Sequence, residues 1–290
     1  MNLFIELNNL SSKYRFYPKK GSGIHFITDK ELIKKIIFFL ELKKSDKVLE
    51  VNGSEFFVAR EIEKKSSLTV LEKKKELTEM LKKELSKTKL VSSFSEINSN
   101  KSFSFVSAAD SGESFLELLF FDFELMVLLL QKEFSQKILA EPGFSDYSAL
   151  TVMTDTFFEV NKIVQVNSDS FFPRTSSDFV LIKFKKKKNK IKNKKDFFEF
   201  VKALFRFKNR VFSVALPKAL QLMKLDKTTK NKILKNAEKT EFNENNFFRK
   251  KFNQTAFLEK RQAAKKQKFN QKIYLLETID FVELFNLLSK

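Results

Sequence analysis

Between Lys47 and Leu130, short and nearly all-apolar runs alternate with longer amphipathic ones. The apolar runs are Lys47–Val51, Leu68–Glu72, Leu90–Phe94, Ser102–Ser107 and Glu124–Leu130, the last reading ELMVLLL. Phe57–Lys65, Lys74–Lys87 and Ser114–Phe121 lie between them with helical spacing. Strands that are apolar on both faces belong to a parallel sheet covered by helices on each side. The alternation therefore predicts an α/β fold with an open, mostly parallel, Rossmann-like sheet. Thr28–Leu42 reads as an amphipathic helix leading into it, with Thr28 as N-cap. Gln131–Leu139 reads as a further helix, and Leu150–Phe158, Ile163–Val166 and Phe179–Phe184 as closing strands.

Outside that alternation the composition shifts. Residues 1–28 read as an extended basic arm carrying Lys13, Arg15, Lys19 and Lys20, and residues 29–184 as the Rossmann-like domain. The run KFKKKKNKIKNKK makes residues 185–195 a solvated linker that is compatible with phosphate contact. From Asp196 the pattern turns helical, which predicts a small all-helical domain over 196–290, closed by the amphipathic ETIDFVELFNLLSK. Within it, 235–271 is a basic, Asn-rich insertion.

The chain carries 55 Lys+Arg against 36 Asp+Glu, a net charge of +19. A polyanion is the partner such a charge selects. Nucleic acid comes ahead of an anionic membrane, because no basic amphipathic helix stands alone. The 36 Phe, with no Trp and no Cys, mark the bias of AT-rich coding. Part of the lysine excess is then passive, and a given Phe reads first as core. Absence of Cys excludes disulfides, thiolate metal sites and a cysteine nucleophile. A single histidine, His25, excludes a His-rich metal site, and no metal is expected. The most apolar stretch, Phe115–Leu130, is broken by Glu117, Asp122 and Glu124, so no membrane span is expected. MNLFIELNNL lacks the Arg-rich, acid-free character of a cleaved transit peptide.

The strand Lys47–Val51 runs into Asn52, Gly53, Ser54, Glu55, Phe56 and Phe57. A nucleotide-type cofactor at a strand–turn–helix junction needs glycines, so that backbone can approach it closely. Here there is one glycine, followed by two phenylalanines. The turn points to an enzyme fold whose chemistry has been lost.

LLLQKEFSQKILAEPGFSDYSALTV (Leu128–Val152) resembles the small-subunit rRNA adenine dimethyltransferase family, in which Q-K-E leads to A-x-P-G-x-x-x-Y-x-R-L-S-V. Gln131, Lys132, Glu133, Ala140, Pro142, Gly143, Tyr147, Leu150 and Val152 match, and Ala149 replaces the Arg. Lys19–Ile36 is similar to the family's G-Q-[NH]-F-L-x-D segment at Gly23, His25, Phe26 and Asp29. Ser170–Ile182 resembles F-[YF]-P-x-P-K-V-D-S-A-V at Phe171, Phe172, Pro173 and Asp178, and Ala203–Leu216 resembles F-x-x-R-R-K-x-L-x-x-x-L in weakened form. The resemblance implies a methyltransferase domain using S-adenosylmethionine (SAM), joined to a small helical domain. It implies methyl transfer to N6 of adenines near the 3′ end of small-subunit rRNA. It also brings in mitochondrial relatives that act as transcription factors.

Against the family pattern E-[IV]-G-x-G-x-G, Glu50 and Val51 are kept, while Asn52, Ser54 and Phe56 replace the glycines. The resemblance places Glu72 where an acid accepts the ribose hydroxyls, Glu96 near the acid that reads the adenine, and His25 beside the cofactor. The catalytic N-[LI]-P-[YF] loop aligns with Ala108, Ala109, Asp110 and Ser111, which hold no amide, proline or aromatic ring. What is implied is a vestigial pocket lined by His25, Glu50, Asn52, Ser54, Phe56, Glu72 and Glu96. No catalytic residue remains and no cofactor is expected, SAM being the one if the pocket still works. Phe171 and Phe172 match an aromatic pair near the flipped base, and without the loop they read as core.

The cations survive better. Lys19, Lys20, Lys185, Lys186, Lys187, Lys188, Lys202, Arg206, Lys208, Arg210, Arg249, Lys250 and Lys251 are the expected RNA contacts. Arg206 and Arg210 are expected to share a helix face with Lys202. The reading is a catalytically degenerate homologue, a monomer within a ribonucleoprotein. Its partners would be small-subunit rRNA and neighbouring ribosomal proteins, and its role that of a structural component or an assembly factor. A mitochondrial setting comes ahead of a cytoplasmic one. Two alternatives stay open: an active SAM-dependent dimethyltransferase and a mitochondrial transcription specificity factor.

Overall fold

The computed structural model describes residues 2–19, 24–52, 55–97, 105–110, 114–223, 228 and 272–288. The chain divides into two compact units, Met1–Gln136 with Phe158–Lys187, and Lys137–Phe157 with Lys188–Lys290.

The first unit contains two sheets. The small one pairs β1 (Phe26–Ile27) antiparallel with β8 (Phe171–Phe172). The large one has seven strands. These are β2 (Lys47–Val51), β3 (Ser67–Leu71), β4 (Lys89–Val91), β5 (Phe105–Asp110), β6 (Leu125–Gln131), β7 (Phe158–Val166) and β9 (Phe179–Lys186). Their order is β4-β3-β2-β5-β6-β9-β7. The first five run parallel, and β9 and β7 are antiparallel. This is the Rossmann-like sheet that the apolar runs predict. The strand order reverses between β2 and β5, which opens a crevice at their carboxyl ends.

Helices α1 (Leu3–Tyr14), α2 (Lys30–Leu40), α3 (Phe56–Glu63) and α4 (Lys75–Glu84) share one continuous core with Val48, Val70, Val127, Leu129 and Leu181 of the sheet. Alternation along the strand places Glu50 on the same face as Val48. On the other face, Phe115 of α5 (Phe115–Phe120) packs on Phe184, ring centroids 5.7 Å apart. The chain leaves this unit through α6 (Lys132–Ile138).

The second unit is helical. It holds α7 (Ala149–Phe157), α8 (Lys194–Phe205), α9 (Phe212–Leu222), a 3-10 turn at Ile273–Leu275 and α10 (Thr278–Leu288). Phenylalanines join them: Phe157 to Phe197 at 6.1 Å, Phe197 to Phe285 at 5.3 Å and Phe205 to Phe281 at 5.5 Å.

Several expectations are corrected. Residues 1–28 are not an extended arm, because Leu3, Leu7 and Leu10 recur on one face and bury themselves as helix α1. The cap of α2 is Asp29, not Thr28: its carboxylate accepts from the N–H groups of Glu31 and Leu32 at 2.9 and 3.2 Å. Leu150–Phe158 is not a strand but almost all of α7. Two of its threonine hydroxyls find carbonyls in the helical form, Thr156 donating to Val152 O at 2.7 Å and Thr151 to Lys137 O at 2.8 Å, while the buried Thr154 hydroxyl has no partner. Lys185 and Lys186 belong to β9, not to a linker. Helix α8 ends at Phe205, so Arg206, Lys208 and Arg210 occupy the turn that follows and share no helix face with Lys202.

Candidate functional site

Of the residues read as a pocket, Glu50, Asn52 and Glu72 lie at the carboxyl ends of β2 and β3. Pairing aligns Val51 with Leu71 on one side and with Ala108 on the other. Asn52 follows with φ +89, the left-handed conformation that glycine adopts freely and asparagine tolerates. It donates its N–H to Leu71 O at 3.0 Å. The turn thus keeps a glycine-like backbone at its first position. Ser54 lies outside the described residues.

Two carboxylates sit at this turn with almost no solvent. Glu50 is 0% exposed and neither of its oxygens has a hydrogen-bond partner. Glu55, at the N-cap of α3, is 1% exposed. Burial, and secondarily the charge of Glu55, pushes the Glu50 carboxyl well above the ordinary carboxylate range. Sequence reasoning singled out Glu50 but gave Glu55 no role. Its position just before the helix start was the available signal. Phe56 and Phe57 open α3 as buried rings 5.3 Å apart, and the Arg60 guanidinium lies 5.4 and 5.2 Å from them. Arg60 also pairs with Glu6 of α1. Both rings belong to the core shared with α1 and α2.

The other expected pocket residues have local partners. Glu72 is buried after β3 and accepts the Lys74 N–H at 2.7 Å. Glu96 is exposed and accepts from Ser92, whose hydroxyl and N–H hold its carboxyl below the usual range. His25 is half-buried and its Nδ1–H donates to Pro173 O at 2.8 Å, beside the β1–β8 pair. Ser170 donates to Asp29 Oδ2 at 3.0 Å in the same place. Phe171 is buried against Phe179 at 4.9 Å, and Phe172 meets Phe4 of α1 edge-on at 4.8 Å.

The expected catalytic loop is shifted by the strand register. Ala108, Ala109 and Asp110 are the last residues of β5, paired with Leu128, Leu129 and Leu130 of β6. The next residue, Ser111, lies outside the described residues. No group of three or more potential metal ligands occurs among the described residues. No helix among them is long and apolar enough to cross a membrane.

The expected RNA-binding cations spread over both units. Lys19, Lys185 and Lys188 are exposed, Lys187 is half-buried, and Lys186 pairs with Asp122. Lys202 lies 3.6 Å from Glu199. Arg206 and Arg210 are exposed, and the half-buried Lys208 donates to Ser145 O at 3.3 Å. Lys20, Arg249, Lys250 and Lys251 lie outside the described residues.

Comparison with known proteins agrees with this architecture. The probable ribosomal RNA small subunit methyltransferase A of Pyrococcus abyssi is 29% identical over 226 residues, covering 74% of this chain and 81% of its own. A dimethyladenosine transferase from Plasmodium falciparum superposes with a TM-score of 0.67 at 19% identity, over 91% of this chain and 98% of its own. The 23S rRNA methyltransferase ErmE superposes at 0.55 with 18% identity, over 91% of this chain and 100% of its own. These two likenesses concern the fold. The ribosomal RNA adenine dimethylase family model matches residues 16–254, and the chain belongs to that family.

Proposed function

We propose that this chain is an rRNA-binding member of the family that has given up methyl transfer. The observation that carries the reading is the end of β5. The strand closes on Asp110, and the residues leaving it are Ser111, Gly112, Glu113 and Ser114. Presenting an exocyclic amine for methylation needs polar acceptors for its hydrogens and a ring to stack the extruded base. This segment offers no amide, no proline and no aromatic side chain.

The turn after β2 supports the same reading. The N-terminus of a helix ordinarily favours an anionic ligand group. At α3 the residue before the helix is Glu55, a buried carboxylate that makes no capping hydrogen bond, with the buried Glu50 near enough to feel its charge and Phe56 as first helical residue. This set does not fit SAM, and no step is derived through it. One feature favours an active enzyme instead, namely the retained φ of Asn52 together with Glu50 and Glu72 at the strand ends.

The partner in this reading is small-subunit rRNA, within a ribosomal particle. Incubation of the chain with small-subunit particles and labelled SAM separates the two readings. Co-sedimentation with the particle, no label in adenine and no heat on titrating SAM are expected. Label incorporated into adenine establishes the active enzyme and overturns the proposal.

A further inference from the structure

The second unit presents an aromatic ring for which its own packing has no use. Phe144, in the loop between α6 and α7, is 64% exposed. The backbone that carries it is nevertheless held at several points. Gly143 takes φ +94, which L side chains rarely adopt, and donates its N–H to Tyr274 O at 2.8 Å. Tyr147 donates its N–H to Phe144 O at 3.2 Å and its buried hydroxyl to Leu276 O at 2.8 Å. Lys208 Nζ donates to Ser145 O at 3.3 Å. The ring therefore projects from a loop fixed on both sides. Leu275, 40% exposed, lies at its foot, its Cδ2 3.6 Å from where a Cβ on Gly143 would sit.

Cations gather round this loop. Tyr274 N–H donates to Lys208 O at 3.2 Å and Ile273 N–H to Arg210 O at 3.1 Å. Val211 and Lys272 form a bridge next to them. The turn after α8 and the segment before α10 thus run side by side, bringing Arg206, Lys208, Arg210 and Lys272 to the neighbourhood of Phe144. Glu141, Asp146 and Glu277 are the carboxylates in these segments, and the 206–210 turn itself carries three cations and no acid.

A fixed, exposed ring with cations beside it is an arrangement that takes an unpaired nucleotide, the ring receiving a base face and the cations the phosphates. A duplex keeps its base faces stacked and offers none to such a ring. We propose that this surface binds a single-stranded segment of rRNA, with one base stacked on Phe144 and adjoining phosphates held by Arg206, Lys208, Arg210 and Lys272. This rests on the rRNA-binding reading above and adds to it the kind of RNA and the residue that stacks.

The test uses the whole chain, with single-stranded oligoadenylate and an RNA duplex of equal length as probes, each titrated over a salt series. Phe144→Ala is expected to weaken single-strand binding about ten-fold, roughly 1.4 kcal/mol. It should leave the duplex affinity, the salt slope and the melting temperature unchanged. Phe144→Trp should restore the single-strand affinity. Lys208→Ala should instead flatten the single-strand salt slope by about 0.7. Equal single-strand binding by the unchanged chain and Phe144→Ala overturns the proposal, as does an equal loss on both probes. If the unchanged chain holds neither RNA, the rRNA-binding reading itself fails and takes this proposal with it.

Discussion

At the scale of single residues, Glu50 is where sequence and environment disagree most. Its motif position was legible, since it follows an apolar strand and precedes a turn. Its isolation was not, because that depends on α3 closing over the strand end and on Glu55 arriving beside it. A carboxyl at 0% exposure without a hydrogen-bond partner is costly when ionised. Its raised pKa means that the folded protein holds a proton that the unfolded chain has already released. Stability from this group is therefore greatest below the ordinary carboxylate range and falls as pH rises toward the folded-state value. Glu50→Gln, which carries no charge at any pH, removes that loss. The variant should melt close to the unchanged protein near pH 4 and clearly above it near pH 8. Thermal melts across that range check it, and a gain that does not grow with pH contradicts the assignment.

At the scale of elements, α1 and α7 show what local pattern can and cannot tell. The apolar spacing of Leu3, Leu7 and Leu10 was present in the sequence, but the basic residues after it suggested an arm. What fixes the helix is tertiary. Leu7 is 0% exposed, Arg60 of α3 pairs with Glu6, and Glu84 of α4 accepts from Lys13 at 2.7 Å and Tyr14 at 2.6 Å. Those two donors hold the Glu84 carboxyl below its ordinary range. For α7, the β-branched Thr151, Val152, Thr154 and Thr156 imitate a strand, and the hydroxyl bonds to Val152 O and Lys137 O show how the helix accepts Thr156 and Thr151. If α1 is an integral layer of the first unit, Leu7→Ala should cost roughly 2–5 kcal/mol of unfolding free energy in urea titration. A cost within the noise of a surface substitution would mean that α1 is only laid on. Tyr147→Phe makes the matching test in the second unit. It strands Leu276 O in the interior and should cost roughly 1–3 kcal/mol, with the helix content by circular dichroism unchanged.

At the scale of the whole molecule, the parallel core was legible because each apolar run carries its own signal, whereas the strand order rests on pairing between distant runs. The partition into two units was not, since Lys137–Phe157 joins the helical unit through contacts made with residues far along the chain, among them Phe197 and Leu276. Charge behaves differently from fold, because the net +19 is a property of the sum and needs no tertiary information. Its consequence is nevertheless sharpened by placement. Lys13, Lys34 and Lys186 are engaged with Glu84, Glu31 and Asp122. Arg206, Arg210 and Lys272 are exposed on the helical unit instead, and the half-buried Lys208 between them meets a carbonyl, Ser145 O, rather than a carboxylate. If those four cations each neutralise a phosphate on a single strand, the affinity should fall with a log–log salt slope of roughly −2.8, about seven-fold for each doubling of salt. Replacing Arg206, Lys208 and Arg210 together by alanine should remove roughly 2 from that slope. Replacing Lys13 and Lys34 should leave it alone, although it removes two positive charges against three. Equal loss from both replacements would mean that the total charge, rather than this surface, holds the RNA.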